Sequence, residues 1–379
     1  LDGLTKNYEI NAIERRVELE DSKEIIRLRV AHLERVENKP TLYTEFVDKF
    51  GDTNAYAFHN LYPFKGKFYP RVVRTLINAF GLDSNSLILD TFNGSGTTTH
   101  EASLMGIESV GIDITPIGTT LAEIKNELPF LSEEEITFTS EELLEILRKI
   151  EKKEWKHDNP TIYKLMLILY FDTIDAFTRT TRYDKKGKEG LFNLKYMYIL
   201  ECHKKLIELK EKFNLGFKKA KIIHGDVLQL KNYNLMKDKF DAVITSPPYY
   251  FSIDYVGKDK LAYDYLGIEM KKIEMKYLGM KNEMNKSSIY GELPLKVIRY
   301  YEDLKESIYN IFWSLKYGGK CAIIVGDSTV LGKKIPTTIM TKKFCEEAGF
   351  KFNKLIFNPL LGARNRAIRG ESIIICTKP

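Results

Sequence analysis

The feature that most constrains this chain is a short apolar run, Leu87 to Leu89, that reaches an acid and continues as Asp90-Thr91-Phe92-Asn93-Gly94-Ser95-Gly96-Thr97-Thr98-Thr99. A run of that length bounded by an acid and glycines reads as a strand buried on both faces, as in a parallel sheet. The glycine turn then opens a helix expected from about Thr97 to Met105. Two glycines one residue apart let backbone pass close beneath a ligand, and the helix N-terminus offers free amides. Ser109 to Ile114 reads as a second strand, and Asp113 near its end is placed to accept both hydroxyls of a ribose. A third glycine at the dinucleotide spacing would fall at residue 99, which is threonine. That weakens a dinucleotide and leaves an adenosyl ligand without a pyrophosphate, with a ligand-free tight turn as the alternative. No Gly-Lys-Ser/Thr sequence is present, which excludes a P-loop.

The same rhythm returns later. Ala220 to His224, Asp241 to Thr245 and Lys320 to Val325 are short apolar runs expected as further parallel strands. Phe350 to Phe357 and Ser372 to Thr377 read as a terminal antiparallel pair separated by an Arg-rich loop. Pro70 opens an apolar-periodic helix running to Phe80. Charged residues with apolar positions at helical spacing, including Ile26, Val30 and Leu33, predict an amphipathic helix over Tyr8 to Glu37. Two stretches break the rhythm without convincing strands: residues 120 to 217, helical in pattern, and residues 256 to 300, rich in Lys, Met and Tyr. The expected organisation is a helical N-terminal region (1 to 57), a catalytic domain (58 to 119 and 218 to 379), a helical insertion (120 to 217) as candidate target reader, and a second insertion (256 to 300).

The apolar strand Asp241 to Thr245 runs straight into Ser246-Pro247-Pro248-Tyr249. In an open parallel sheet, ligands lie beyond the carboxyl ends of the strands, so this turn is expected in the site. Two prolines donate no backbone hydrogen bond and fix the local φ, which makes rigid acceptors. Amino methylation of a base needs such acceptors, because the amine lone pair is delocalised into the ring. The Ser246 hydroxyl and the Pro247 carbonyl would hold the two hydrogens and leave the lone pair facing a methyl donor. Tyr249 would stack on a base flipped out of its duplex. A Pro-Pro turn that merely ends a strand is the bland reading of the same residues.

Taken together, the loop Asp90 to Thr98 and the turn Thr245-Ser246-Pro247-Pro248-Tyr249 resemble the DNA amino-methyltransferases of restriction–modification type, particularly those acting on the 4-amino group of cytosine. The resemblance covers about residues 58 to 120 and 218 to 379. It implies a class I, Rossmann-like α/β fold with a mostly parallel seven-stranded sheet and helical insertions. It also implies S-adenosyl-L-methionine as cofactor, double-stranded DNA as substrate, and a cognate restriction endonuclease as a possible partner. By position, Ser246, Pro247, Pro248 and Tyr249 are the implied catalytic residues. Lys65, Asp90, Phe92, Gly94, Gly96, Thr97, Thr98, Asp113 and Asp226 are the implied cofactor residues, with Lys67 an alternative to Lys65. Serine at the turn favours cytosine, with adenine in DNA or a base in RNA as alternatives. Carbon-5 methylation is excluded because no cysteine follows a proline. A binding protein that lost catalysis is disfavoured by the intact turn, and glutamine methylation by Ser246 where asparagine would stand.

Composition is consistent with this and adds little. With 44% hydrophobic residues in 379, a large core is affordable in area, and the net charge of +6 suits a polyanionic partner without demanding one. Four scattered cysteines and six scattered histidines predict no metal site and a reducing, cytoplasmic setting, and no apolar run or signal peptide suggests a membrane. Candidate nucleic-acid contacts are Arg179 and Arg182, then Tyr255 with Lys258, Lys260, Lys271 and Lys272, and finally Arg364 and Arg366. A solvated charged face is the competing reading for each.

Overall fold

The structure is a computed structural model, and it describes residues 8–11, 16–19, 23–48, 56–67, 69–179, 186–233, 237–250, 257–280, 295–330, 333–359 and 370–379. Seven strands form one sheet: β1 (Leu87–Asp90), β2 (Glu108–Asp113), β3 (Lys221–His224), β4 (Phe240–Thr245), β5 (Leu315–Gly326), β6 (Lys351–Pro359) and β7 (Gly370–Thr377). Their spatial order is β6-β7-β5-β4-β1-β2-β3. Strands β1 to β5 are mutually parallel where they pair, and β7 lies antiparallel between β5 and β6. This is the mostly parallel seven-stranded α/β architecture that the resemblance implies. The chain leaves β1 toward β2 on one side and returns to β4 on the other. That reversal opens a crevice at the carboxyl ends of β1 and β4.

Period-two alternation explains why the sheet is covered on both faces. Ile88, Ala242, Ile244, Ala322 and Ile324 are buried with Val73 and Ile77 of α1 (Pro70–Ala79) and Ala102 of α2 (Thr97–Leu104). The intervening Leu89, Val243, Ile323 and Val325 face the other way, against Leu304 and Ile308 of the helix Leu295–Ser314. Each buried Val, Leu or Ile side chain among these contributes about 1.5–3 kcal/mol. A separate apolar cluster holds the long helices Pro160–Arg179 and Gly187–Lys212 together, with Tyr56 and Phe58 packed into it.

The N-terminal helix expected over Tyr8 to Glu37 is a correction. Among the described residues of that span, only Lys23–Arg29 is helical. Tyr8–Asn11 and Arg16–Leu19 instead pair as an antiparallel hairpin, in keeping with the alternation of Arg-Val-Glu-Leu. Arg35–Val36 pairs with Lys39–Pro40 around Glu37 and Asn38, both at positive φ, which ends any helix. Ile26 and Val30 do share one buried face, so the helical spacing was real but short. Strand β5 starts five residues before the expected Lys320, at Leu315, where its pairing with β4 carries an irregularity after Phe240. Among the described residues, no helix is long and apolar enough to cross a membrane.

Candidate active site

Strands β1 and β4 are parallel neighbours in the register Ile88 to Ala242 and Leu89 to Val243. Their carboxyl ends, the glycine loop and the proline turn therefore share one rim. Thr245 stitches them together. Its hydroxyl donates to Asp90 Oδ1 at 2.6 Å and accepts from the Phe92 amide at 3.1 Å. Asp90 is fully buried, and burial lifts its carboxyl to about 6, opposed by the hydrogen bonds it accepts from Thr245 and the Phe92 amide.

A cleft opens above this seam. Its wall is built from Phe64 to Lys67, from Thr91, Phe92 and Gly94, from Asp113 to Thr115, from Gly225 to Val227, and from the whole Ser246-Pro247-Pro248-Tyr249 turn. Lys276, Tyr277 and Leu278, which lie in the stretch expected as a second insertion, and Glu371 at the start of β7 complete it. At the far side Asp113 accepts from the Gly94 amide at 2.7 Å through Oδ2 and from the Thr115 amide at 2.9 Å through Oδ1. Burial pushes the Asp113 carboxyl up, against those hydrogen bonds. Gly94 has φ +48°, and a Cβ there would stand 3.1 Å from the Phe64 ring. The loop thus presents bare backbone to the cleft, as a close-lying ligand requires. Asp226 caps the short turn after β3, accepting the Leu228 amide at 2.9 Å. Acceptors at Asp113 and Asp226, aromatic faces at Phe64 and Phe92, and cations at Lys65 and Lys67 suit the ribose, adenine and amino-acid parts of S-adenosyl-L-methionine.

The turn is held from outside the strand that carries it. Ser246 Oγ donates to the Ile324 carbonyl on β5 at 3.1 Å. Tyr300 Oη donates to the Pro248 carbonyl at 3.0 Å, and Tyr249 Oη donates to Glu371 Oε1 at 2.8 Å.

Of the residues expected from sequence, Lys65, Phe92, Gly94, Asp113, Asp226, Ser246, Pro247, Pro248 and Tyr249 come together in this wall. Lys67 lines it as well, with its ammonium donating to the His59 carbonyl at 2.6 Å. Asp90, Gly96, Thr97 and Thr98 do not line it. They are buried beneath the loop, where a Cβ on Gly96 would meet Ala122 at 2.7 Å and Thr98 Oγ1 donates to the Ile244 carbonyl at 3.2 Å. Arg179 ends the helix Pro160–Arg179. Arg182, Tyr255, Arg364 and Arg366 lie outside the described residues. Lys260 and Lys272 are paired with Asp264 and Glu269. The strand ends flanking residues 360–369 do sit on the cleft rim, since β6 runs parallel to β5 and Glu371 reaches the cleft.

Sequence reasoning missed a buried polar knot behind the loop. Glu101 of α2 accepts from Arg74 Nε at 2.7 Å and from Tyr56 Oη at 2.5 Å, and His59 Nε2 lies 2.7 Å from the same carboxylate. Burial alone would raise the Glu101 carboxyl, but the Arg74 guanidinium, with His59 and Tyr56, holds it at about 2. Burial lowers His59 to about 4. The knot anchors Tyr56 to His59, and through the His59 carbonyl it anchors Lys67. Its one sequence signal is an acid in a helix, Thr97–Leu104, with no exposed face.

The N6/N4 methyltransferase family model, described as DNA methylase, matches residues 22–122. Type II methyltransferase M.BsoBI of Geobacillus stearothermophilus is 25% identical over 94% of this chain and 92% of its own length. Type II methyltransferase M.MjaII of Methanocaldococcus jannaschii is 29% identical over 51% of this chain and 32% of its own. Among solved structures, the rRNA methyltransferase aviRa of Streptomyces viridochromogenes aligns at 11% identity and a TM-score of 0.39, over 83% of this chain and 87% of that one. The family model and the Type II relatives bear out the resemblance read from the two motifs, and with it S-adenosyl-L-methionine as the cofactor. Among the described residues, no group of three or more His, Cys, Asp or Glu could hold a metal ion.

Proposed function

We propose that this DNA amino-methyltransferase of restriction–modification type methylates the 4-amino group of cytosine, flipped out of a short target in double-stranded DNA. The observation that carries the reading is the Ser246 hydroxyl, whose hydrogen is given to the Ile324 carbonyl on the cleft that also holds Gly94 and Asp113. A hydroxyl so engaged keeps oxygen lone pairs, and acts as an acceptor toward an amine.

S-adenosyl-L-methionine supplies a methyl group already activated for attack by a nitrogen lone pair. Asp113 would take the ribose hydroxyls, Asp226 would contact the adenine, and Lys65 or Lys67 would hold the carboxylate. Gly94 admits the methionine part close to the backbone, and Phe92 packs beside it. Asp90, Gly96, Thr97 and Thr98 shape the loop from beneath. Ser246 Oγ and the Pro247 carbonyl accept the two amine hydrogens and turn the lone pair toward the methyl group. Pro248 stiffens the turn, and Tyr249 stacks on the extruded base. Serine, rather than an acid or asparagine, at the head of the turn supports cytosine over adenine. The helical insertion (120 to 217) is the candidate target reader, with Arg179, Arg182, Tyr255, Arg364 and Arg366 as phosphate or base contacts. A cognate restriction endonuclease of the same target is the partner this implies.

The test is transfer of labelled methyl from S-adenosyl-L-methionine to unmethylated DNA and to RNA, followed by mass spectrometry of the nucleosides. Label in N4-methylcytosine from DNA is expected. Label in N6-methyladenine replaces the base assignment, and label in RNA alone overturns the DNA reading.

A further inference from the structure

The proline turn is tied down through two main-chain carbonyls: that of Ile324, which accepts the Ser246 hydroxyl, and that of its own Pro248, which accepts the Tyr300 hydroxyl. A further tie joins two side chains, Tyr249 Oη and Glu371 Oε1, 122 residues apart in sequence and 2.8 Å apart in space. Glu371 sits near the start of β7, directly opposite Gly326 on β5, two residues beyond the Ile324 carbonyl that Ser246 uses. Its backbone is thus fixed by the sheet, and its carboxylate lies in the cleft wall beside the turn.

A tyrosine ring that stacks on a base has two freedoms to lose: rotation about its side-chain bonds and sliding across the base. A hydrogen bond from the phenol to a carboxylate on a separate, rigid strand removes both. A charged acceptor makes that bond about twice as strong as a neutral one. We infer that Glu371 is a positioning residue for methyl transfer: it clamps the Tyr249 hydroxyl and so fixes the ring plane against which the target base is held. This rests on the base-methylating reading above. Glu371 itself touches no reacting atom in this scheme. Its effect passes through Tyr249, so the two residues act as one unit.

Two single variants and their double test it: Glu371→Ala, Tyr249→Phe, and both together, with Glu371→Gln as the conservative control. Activity on DNA, the Kd for S-adenosyl-L-methionine and thermal unfolding are measured for each. Glu371→Ala and Tyr249→Phe are each expected to lower kcat/KM for DNA by about tenfold to a hundredfold, the size of losing a hydrogen bond to a charged group. The double variant should fall no further than the worse single, since both remove one interaction. Glu371→Gln, which keeps an acceptor oxygen, should recover most of the loss. Cofactor Kd should stay within about twofold in all four. Additive losses in the double variant, or unchanged kcat/KM in Glu371→Ala, overturn the inference. A wild-type chain that methylates no DNA overturns the functional reading instead, and is distinguished by that.

Discussion

Thr245 Oγ1 lies 2.6 Å from Asp90 Oδ1, and this contact joins the last residue of one central strand to the last residue of its neighbour. Everything that follows Asp90 belongs to the glycine loop, and everything that follows Thr245 belongs to the proline turn. The distance between the two working loops is therefore set by a buried side-chain bond as well as by the sheet. Thr245→Val keeps the shape and removes the donor, leaving a buried carboxyl oxygen short of a partner. Stability should fall by about 1–3 kcal/mol in urea unfolding. Turnover should fall by about tenfold or more through misplacement of the turn.

The two loop glycines separate ligand binding from folding. A methyl group on Gly94 projects toward the Phe64 ring at 3.1 Å, on the cleft side. On Gly96 it would lie 2.9 Å from the Ala122 backbone, inside the protein. Gly94→Ala should weaken S-adenosyl-L-methionine about tenfold in calorimetry with a modest loss of stability, given the αL cost of about 1–2 kcal/mol. Gly96→Ala should lower the unfolding temperature most, because backbone cannot yield as a ring edge can.

How much of this was legible in the sequence depends on where each residue's partners come from. Central strands buried on both faces must be apolar throughout, so β1, β2 and β4 can be read as runs of Leu, Ile and Val; β7, half-buried on one face, is legible from its run of three isoleucines. The N-terminal hairpins were not legible, because a few residues of period-two alternation among many charges resemble a charged helix. The glycine loop and the proline turn carry their own chemistry in their residue types. Glu371, Lys276 and Tyr277 do not. They enter the cleft only because β7 pairs with β5 and because residues 276–278 lie at the rim. Asp90, Gly96, Thr97 and Thr98 lie in the same motif as Gly94, yet Asp90 ends a strand buried beneath the loop, and Gly96, Thr97 and Thr98 begin a helix that is buried all round.

The two buried acids predict opposite pH dependences of stability. Asp90 is raised from 3.8 to about 6 by burial, so its folded form prefers the proton. Its contribution is fully present below pH 3.8 and is lost as pH rises toward about 6. Glu101 is lowered from 4.5 to about 2, so its contribution is present above pH 4.5 and is lost as pH falls toward about 2. In urea unfolding across pH, the stability advantage of wild type over Asp90→Asn should therefore grow on acidification. Its advantage over Glu101→Gln should shrink.

Ser246→Ala and Asp113→Ala should divide turnover from cofactor affinity. The serine variant is expected to lose about tenfold to a hundredfold in kcat, with cofactor Kd little changed. The aspartate variant should weaken cofactor binding by a similar factor. An unchanged kcat in the first, or an unchanged Kd in the second, removes that residue from its assigned role.

The most direct measurement is a crystal structure of the chain with S-adenosyl-L-methionine. The ribose should lie on Asp113, and the sulfonium methyl should point into the space between Gly94 and Ser246. An amine nitrogen held by Ser246 would then sit at the reacting distance of about 3–3.5 Å. A cofactor bound outside this cleft, or a methyl directed away from Ser246, would contradict transfer between the two loops.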